Sequence, residues 1–160
     1  MIFAAIGTQN LPFDRLLIRI DELVESGFIQ EEVFAQIGHS PYEPKRYRFE
    51  RMIPPPRFDG YLDRCDIFLS HGGTGSLVGA LKRGKRVVAV PRLRKYGEHV
   101  DDHQTEIISL FEESGLLIAA REMDDLEGAL RRVRSFVPRP FVGNRQTILK
   151  IIEDFIENGF

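Results

Sequence analysis

The chain reads DIFLSHGGTGSLVGALKRGKRVVAVPRLRKYGEHVDDHQ from residue 66 to residue 104, and this stretch decides the predicted fold. Residues 67–69 form a short apolar run of strand character, which breaks into glycines at residues 72–75. A helical pattern follows and ends at Gly84, and residues 87–90 form a second, β-branched run. This order predicts a βαβ unit whose glycine turn lies at the carboxyl edge of a parallel sheet, where ligands bind in open α/β folds.

The glycine turn between the strand and the helix predicts a diphosphate site. Glycine has no Cβ atom, so backbone N–H groups there can approach a ligand closely. The helix that follows presents unpaired first-turn N–H groups and the positive end of its dipole, which together attract phosphate. Ser76 adds a hydroxyl donor, and His71 places an imidazole at the rim. The alternative is a tight turn that uses glycine only for its geometry, and the flanking serine and histidine favour the phosphate site.

The segments on both sides extend the same α/β pattern. Further strands are predicted at residues 2–6, 33–37, 47–49 and 116–119, which gives about six in all. Helices are predicted at residues 10–27, 58–64, 98–113, 124–137 and 148–156. Asp124 and Glu127 have the spacing of a capping box. The whole chain, residues 1–160, is therefore predicted to be one doubly wound α/β domain with a mostly parallel, Rossmann-like sheet.

The first strand ends in a loop of its own, Gly7-Thr8-Gln9-Asn10, on the same sheet edge as the glycine turn. Thr8 and Asn10 are candidates for ligand contact in this loop. Asn10 has an equally good structural role as the cap of the helix that follows.

Length and composition indicate an ordinary globular domain. The 160 residues suffice for a sizeable core, and hydrophobic and charged residues make up 42% and 29% of the chain. A formal net charge of −2 argues against broad nucleic-acid binding. The single cysteine, Cys65, excludes an internal disulfide and a cysteine-built metal site, so we expect a reducing compartment and a small buried thiol. Without a signal peptide or an apolar run of membrane-spanning length, the chain is expected to be cytoplasmic, unless a partner holds it at a membrane.

Basic residues occur at the end of the helix and after the second strand of the central unit. They are Lys82, Arg83, Lys85, Arg86, Arg92, Arg94 and Lys95. The first four offset the helix dipole. The last three either face an anionic acceptor or a membrane surface, or lie in a solvated loop.

The end of the central stretch, residues 98–104, carries several groups that bond hydroxyls. One of the two adjacent aspartates is expected to cap the next helix, whereas Gln104 has no capping role and is assigned to sugar hydroxyls. His99 and His103 have the i, i+4 spacing of a metal-binding pair, but the helix is expected to begin too late to hold both. We predict no metal, because a helix N-terminus already neutralises a diphosphate.

The phrases SHGGTGS, GKRVVAVP and DDHQ, in this order, resemble the donor-binding half of GT-B glycosyltransferases, and most closely the glycosyltransferase family 28 C-terminal domain. Gly7-Thr8 with Phe13 is similar too, so the resemblance covers nearly the whole chain. The phrase PRLRKYGEHVDDHQ resembles the catalytic subunit of two-subunit transferases of bacterial exopolysaccharide assembly. It is also similar to the cytosolic subunit of the eukaryotic lipid-linked N-acetylglucosaminyltransferase.

This resemblance implies an inverting hexosyltransferase that uses a UDP-sugar donor, a lipid-linked saccharide acceptor and no cofactor. It assigns Gly73, Thr74, Gly75 and Ser76 to the diphosphate, His71 to the phosphate rim, and His103 and Gln104 to the sugar. The other substrate-binding candidates are Gly7, Thr8, Glu98, His99 and Asp102. Many relatives carry a ribose-binding glutamate where this chain has Gly79, so Glu98 becomes the candidate for that contact. His71 is the one candidate for a catalytic side chain, and the general base is expected from the other lobe.

A GT-B cleft needs two lobes, and this length supplies one. We therefore predict a membrane-anchored partner subunit that supplies the acceptor lobe and holds the chain at the inner face of the membrane. Two alternatives remain: a non-catalytic enhancer or nucleotide-sugar-binding subunit, and an NADPH-binding Rossmann protein. The latter rests on Gly73-x-Gly75-x-x-x-Gly79, which resembles a dinucleotide fingerprint, with Arg92 for a 2′-phosphate. Against it, that motif usually follows the first strand, and His71 would have no role.

Overall fold

Six parallel strands form the sheet in the computed structural model, which describes residues 1–141. The strands are β1 (Ile2–Ala5), β2 (Val33–Gln36), β3 (Arg48–Glu50), β4 (Ile67–Ser70), β5 (Arg86–Ala89) and β6 (Ile118–Ala119). Their order across the sheet is β3-β2-β1-β4-β5-β6, and every neighbouring pair is parallel. All six predicted strands are therefore present. The sheet reverses its winding between β1 and β4, where an open α/β fold forms its ligand crevice.

Within residues 1–141, five helices cover the sheet, and a 3₁₀ turn lies at Arg94–Tyr96. The helices are α1 (Asp14–Glu25), α2 (Pro55–Arg64), α3 (Thr74–Lys82), α4 (His103–Glu113) and α5 (Asp125–Val133). No helix within residues 1–141 is long and apolar enough to cross a membrane. The helix predicted at residues 148–156 lies outside the described residues.

The sheet separates two apolar clusters, as a doubly wound fold requires. One cluster joins α1 and α5 to one sheet face and contains Leu16, Ile20, Leu126, Leu130 and alternate residues of β1. The other cluster joins α2, α3 and α4 to the opposite face and contains Leu62, Leu77, Leu81, Ile108 and Phe111. Because β1, β2, β4 and β6 are fully buried, they read as nearly continuous apolar runs, whereas the edge strand β3 is only partly buried and carries charged residues.

Two helices begin later than predicted, because side chains bind the backbone of the segments that precede them. The helix expected from residue 10 begins at Asp14, and the N–H of Phe13 donates to Oγ of Ser40 at 2.8 Å, so Asn10 is not its cap. The helix expected from residue 98 begins at His103.

Carboxylates hold the segment before α4 in a loop. The Glu98 carboxylate accepts the N–H of Leu93 at 3.0 Å, and the Asp102 carboxylate accepts the N–H of Arg94 at 2.8 Å. Asp101 accepts the first amide of α4, that of His103, at 3.1 Å. Asp101 is thus the aspartate that bonds the start of this helix. His99 lies outside α4, as expected from the late helix start.

The capping box predicted at the start of α5 does not form. Asp124 has helical torsion angles (φ −66°, ψ −26°), and its side chain makes no capping hydrogen bond. The Glu127 side chain pairs instead with Arg131 one turn further along the helix. The neighbouring Asp125 carboxylate accepts the N–H of Glu122 at 3.2 Å, so the acidic group that closes this turn is one residue later than predicted.

Candidate functional site

A cavity of about 540 Å³ opens where β1, β2 and β4 end at the carboxyl edge of the sheet. It is lined by Ala5, Gly7, Thr8, Gln9, Gln36, Ile53, Pro55, Phe58, Asp59, Leu62, His71, Gly73, Thr74, Gly75, Ser76, Gly79 and Gln104. This volume is within the range of small-molecule and cofactor sites. The cavity therefore lies at the position and has the size that the fold predicts for a ligand site.

The glycine turn forms one wall of the cavity and leads directly into α3. Gly72 adopts a φ of +93°, which only glycine reaches without strain, and this turns the chain from β4 toward the helix. Gly73 is the N-cap residue, and no side chain caps the helix. The amides of Thr74, Gly75 and Ser76 have no intrahelical acceptor, because they belong to the first turn. They are available to an anion in the cavity.

Ser76 has its hydroxyl beside the same turn. Its Oγ donates to the carbonyl oxygen of Gly73 at 2.9 Å and lies 3.4 Å from Oγ of Ser70. Ser70 in turn accepts the N–H of Gly72 at 3.2 Å. These bonds fix the turn from behind, so its amides are held in place before any ligand binds.

His71 is buried between the two glycine loops. Its Nδ1 donates to the carbonyl oxygen of Ala5 at 3.1 Å, which leaves Nε2 without a proton. A Cβ atom on Gly7 would lie 2.7 Å from Nε2, and a Cβ atom on Gly73 would lie closer still. Both loops therefore need glycine so that the imidazole fits between them.

Burial determines the charge of this imidazole. It lowers the pKa of His71 to about 4; the bond to Ala5 opposes this effect, and the positive charge of Arg92 adds to it. The ring is consequently neutral near pH 7. An imidazole with so low a pKa is a poor general base, so the catalytic role considered for His71 receives no support from its environment.

Three glutamines line the cavity, and two of them, Gln36 and Gln104, are each oriented by a backbone amide. Oε1 of Gln104 accepts the N–H of Arg92 at 3.1 Å, and Oε1 of Gln36 accepts the N–H of Ile53 at 3.1 Å. Neither NH₂ group has a hydrogen-bond partner within residues 1–141, so both can donate to a ligand. Gln104 was predicted from its position at the start of a helix.

The structure brings together eight of the predicted site residues. Gly7, Thr8, His71, Gly73, Thr74, Gly75, Ser76 and Gln104 all line the cavity. Glu98, His99, Asp102 and His103 are outside its lining. His99 contacts a lining residue, because its Nε2 lies 3.4 Å from Nε2 of Gln9.

Glu98 is not positioned for a ribose, because the protein itself uses both of its carboxylate oxygens. Oε1 lies 2.6 Å from Nε of Arg15, and Oε2 accepts the N–H of Leu93. The side chain is 5% exposed. The part-buried ion pair with Arg15 holds the loop after β5 against the start of α1.

Arg92 was expected either to face an anionic acceptor or a membrane surface, or to lie in a solvated loop. The structure contradicts both expectations, because the side chain is buried inside the protein. The residue is 1% exposed, and its guanidinium donates to the carbonyl oxygens of Leu11 at 3.0 Å, Glu98 at 3.3 Å and Ile6. It joins the loop after β1 to the loop after β5 and does not line the cavity. Arg94 and Lys95 are exposed, as a solvated loop requires.

Several cavity residues were not predicted as contacts, and most of them come from the end of β2, the segment after β3 and α2. Gln36 ends the apolar run of β2, and a polar residue at that position is a usable signal. Ile53, Pro55, Phe58 and Leu62 form an apolar wall along the entry and inner face of α2. Only the strand order places this wall opposite the glycine turn.

The described part of the chain offers no metal site. No group of three or more histidine, cysteine or acidic residues within residues 1–141 is arranged to hold an ion. Cys65 is buried and reduced, and burial raises the pKa of its thiol to about 11, so it is the small buried residue that was predicted.

Comparison with known proteins identifies this architecture. The sequence model of the glycosyltransferase family 28 C-terminal domain matches residues 1–158. No curated protein sequence matches the chain. The NMR solution structure of ALG13 is similar with a TM-score of 0.62 and 18% identity, and the match covers 94% of this chain and 93% of that one.

Two crystal structures of larger proteins contain the same fold. CalG4, the calicheamicin glycosyltransferase, matches 99% of this chain with a TM-score of 0.56 and 20% identity. MurG of Acinetobacter baumannii matches 82% of this chain with a TM-score of 0.58 and 16% identity. The chain spans 38% of CalG4 and 41% of MurG, so it corresponds to one part of each.

Proposed function

Because the chain belongs to the glycosyltransferase family 28 C-terminal domain family, we propose that it binds the UDP-sugar donor of a two-subunit hexosyltransferase. The observation that carries this proposal is the glycine turn in the cavity wall. The first-turn amides of α3 at Thr74, Gly75 and Ser76 face a space large enough for a nucleotide sugar. The dinucleotide alternative loses its support, because the Arg92 assigned to a 2′-phosphate is buried away from the cavity.

The two walls of the cavity differ in chemistry, and this difference orients the donor. The amides of the glycine turn suit the diphosphate. The flat face of the nucleobase suits the apolar wall formed by Ile53, Pro55, Phe58 and Leu62. Gln104, at the start of α4, offers an NH₂ donor for sugar hydroxyls near the turn.

In the transfer step, the hydroxyl oxygen of the acceptor attacks the anomeric carbon of the sugar. The bond between that carbon and the diphosphate oxygen breaks, and the electron pair leaves with UDP. Amides fixed at the start of α3 stabilise the negative charge that grows on the leaving diphosphate, without a metal. The hydroxyl proton passes to a base. Among the lining residues within 1–141, His71 has too low a pKa for this role and Asp59 lies on α2 beside the apolar wall, so we assign the proton acceptor to the partner.

We also propose that a membrane-anchored partner supplies the acceptor lobe and binds the lipid-linked acceptor. The larger neighbours CalG4 and MurG contain this fold as about two fifths of their length, whereas ALG13 and this chain have nearly the same extent. The chain thus supplies one wall of a cleft. Association with the cytoplasmic face of a membrane would follow from the partner, since no helix within residues 1–141 could span a membrane.

A thermal-shift comparison tests the donor assignment. UDP, UDP-glucose, UDP-galactose and UDP-N-acetylglucosamine should raise the Tm with or without magnesium, whereas NADPH should not. Stabilisation by NADPH alone, or only in the presence of a divalent ion, would contradict the proposal. Transfer assays with and without the partner then test the division into lobes, and full turnover by the lone chain would refute it.

A non-catalytic enhancer or nucleotide-sugar-binding subunit is the second candidate. The low pKa of His71, the only histidine in the cavity lining within residues 1–141, is the observation that favours it. Substituting Ser76→Ala and Gln104→Ala in the assembled complex separates the two functions. Transfer should fall strongly if this cavity holds the donor and should persist if the role is structural.

A further inference from the structure

Asp59 is the only charged side chain that lines the cavity among residues 1–141. It lies on α2, next to the apolar wall and across from Gly79 of α3. Phosphate and carboxylate groups repel each other, so a carboxylate in this cavity is expected to bind a different part of the ligand, away from the diphosphate. The side chain is 56% exposed, so it is not part of the core.

Arg83 fixes the position of this carboxylate. One guanidinium nitrogen lies 2.9 Å from Oδ1 of Asp59, and another donates to the carbonyl oxygen of Gly79 at 3.0 Å. The remaining nitrogen donates to Asp63 at 2.8 Å. Asp59 is therefore held beside the backbone of Gly79, while its second oxygen makes no hydrogen bond within the described part of the chain.

The space in front of the carboxylate is open because residue 79 has no side chain. A Cβ atom built on Gly79 would meet its nearest neighbours, on Arg83 and Leu62, only at 3.7 Å. Gly79 lies four residues after Gly75, which is about 6 Å along the helix from the phosphate-binding turn. In a nucleoside diphosphate the ribose is attached directly to the diphosphate, so its hydroxyls fall at about this distance.

We propose that the Asp59 carboxylate accepts hydrogen bonds from the ribose hydroxyls of the donor and thereby selects ribonucleotides over deoxyribonucleotides. A carboxylate can accept two hydroxyl donors at once, and such charge-assisted bonds are stronger than neutral ones. Arg83 offsets its negative charge, so the diphosphate one helical turn away is tolerated. The inference rests on the proposed donor-binding function and adds the residue that distinguishes one class of nucleotide from another.

The test is isothermal titration calorimetry of the full chain with UDP and with 2′,3′-dideoxy-UDP. The wild-type chain should bind UDP about tenfold more tightly than the dideoxy compound, because half-exposed bonds to a charged group give the lower end of the usual range. Asp59→Asn and Asp59→Ala should lose about this factor for UDP and keep the wild-type affinity for dideoxy-UDP. Circular dichroism spectra establish that both variants are folded.

Asp63→Asn is the matched control, because Asp63 shares the same arginine and does not line the cavity. It should keep both affinities. Equal loss in the Asp59 and Asp63 variants would show that the effect comes from Arg83 and would overturn the inference. Unchanged discrimination in both Asp59 variants would overturn it as well, while leaving the proposed function intact. If the wild-type chain bound neither nucleotide, the proposed function and this inference would both be refuted.

Discussion

Replacing His71 with asparagine should flatten the dependence of the unfolding free energy on pH. Burial of the imidazole lowers the pKa of His71 from 6.5 to about 4. The unfolded chain therefore takes up this proton at a higher pH than the folded chain does. The neutral imidazole therefore stabilises the folded chain fully at a pH above the pKa of His71 in the unfolded chain. This stabilisation is lost as the pH falls toward the pKa of His71 in the folded chain. The difference between the two pKa values corresponds to about 3 kcal/mol, of which about 2 kcal/mol is lost by about pH 5.

Urea unfolding followed by circular dichroism measures this loss at about pH 7.5 and about pH 5. The control is His39→Asn, because His39 is an exposed loop residue. Carboxylates that titrate in this range affect all three proteins alike, so the comparison isolates the imidazole. The wild-type chain and the control should lose about 2 kcal/mol more than His71→Asn does. Equal losses in wild type and His71→Asn would refute the conclusion that the fold holds this ring neutral between its glycines.

Three further changes test other parts of the structure. Gly73→Ala should abolish UDP stabilisation in a thermal-shift assay, because the methyl group would meet the His71 ring. The control Gly75→Ala should keep the fold, because its methyl group would meet nothing within 4 Å. Equal melting temperatures for the two variants would contradict this packing. Arg92→Met should lower the unfolding free energy by about 3 kcal/mol in urea, since three carbonyl groups lose a buried donor, and a loss below about 1 kcal/mol would argue against that role. Because burial raises the pKa of Cys65 to about 11, iodoacetamide should modify the thiol of the folded chain slowly at about pH 8 and faster once urea unfolds the chain. Rapid modification of the folded chain would exclude a buried thiol.

The strands and the glycine turn were predictable because their signals are local. Runs of three to five mostly apolar residues mark every strand except β3, and glycines mark the turn between β4 and α3. The starts of α1 and α4 were not predictable in the same way. They depend on bonds between distant residues, such as Ser40 with Phe13 and Glu98 with Arg15, and periodicity carries no information about such pairs.

The site was predictable along the central βαβ unit and poorly elsewhere. Residues that belong to the glycine turn or the loop after β1 lie in the cavity, because parallel strands end at one edge. The apolar wall and Asp59 were not predicted, since the place of α2 beside the cavity depends on where the preceding strand, β3, pairs in the sheet. Arg92 was misjudged because an arginine after a strand resembles a surface residue, while here its charge is buried among carbonyl oxygens.

The way the cavity would attract an anion gives a physical reason for the proposed dependence on a partner. No lysine or arginine lines it within residues 1–141, so the attraction comes from backbone amides and the dipole of α3. Gly75 at the start of that helix is exposed, and water and salt weaken such an interaction at an open surface. A second lobe that covered the cavity would exclude water and strengthen the same amides toward the charge that develops on the leaving diphosphate. Under the proposed function, the lone chain would hold the donor, whereas rapid transfer would require the closed cleft.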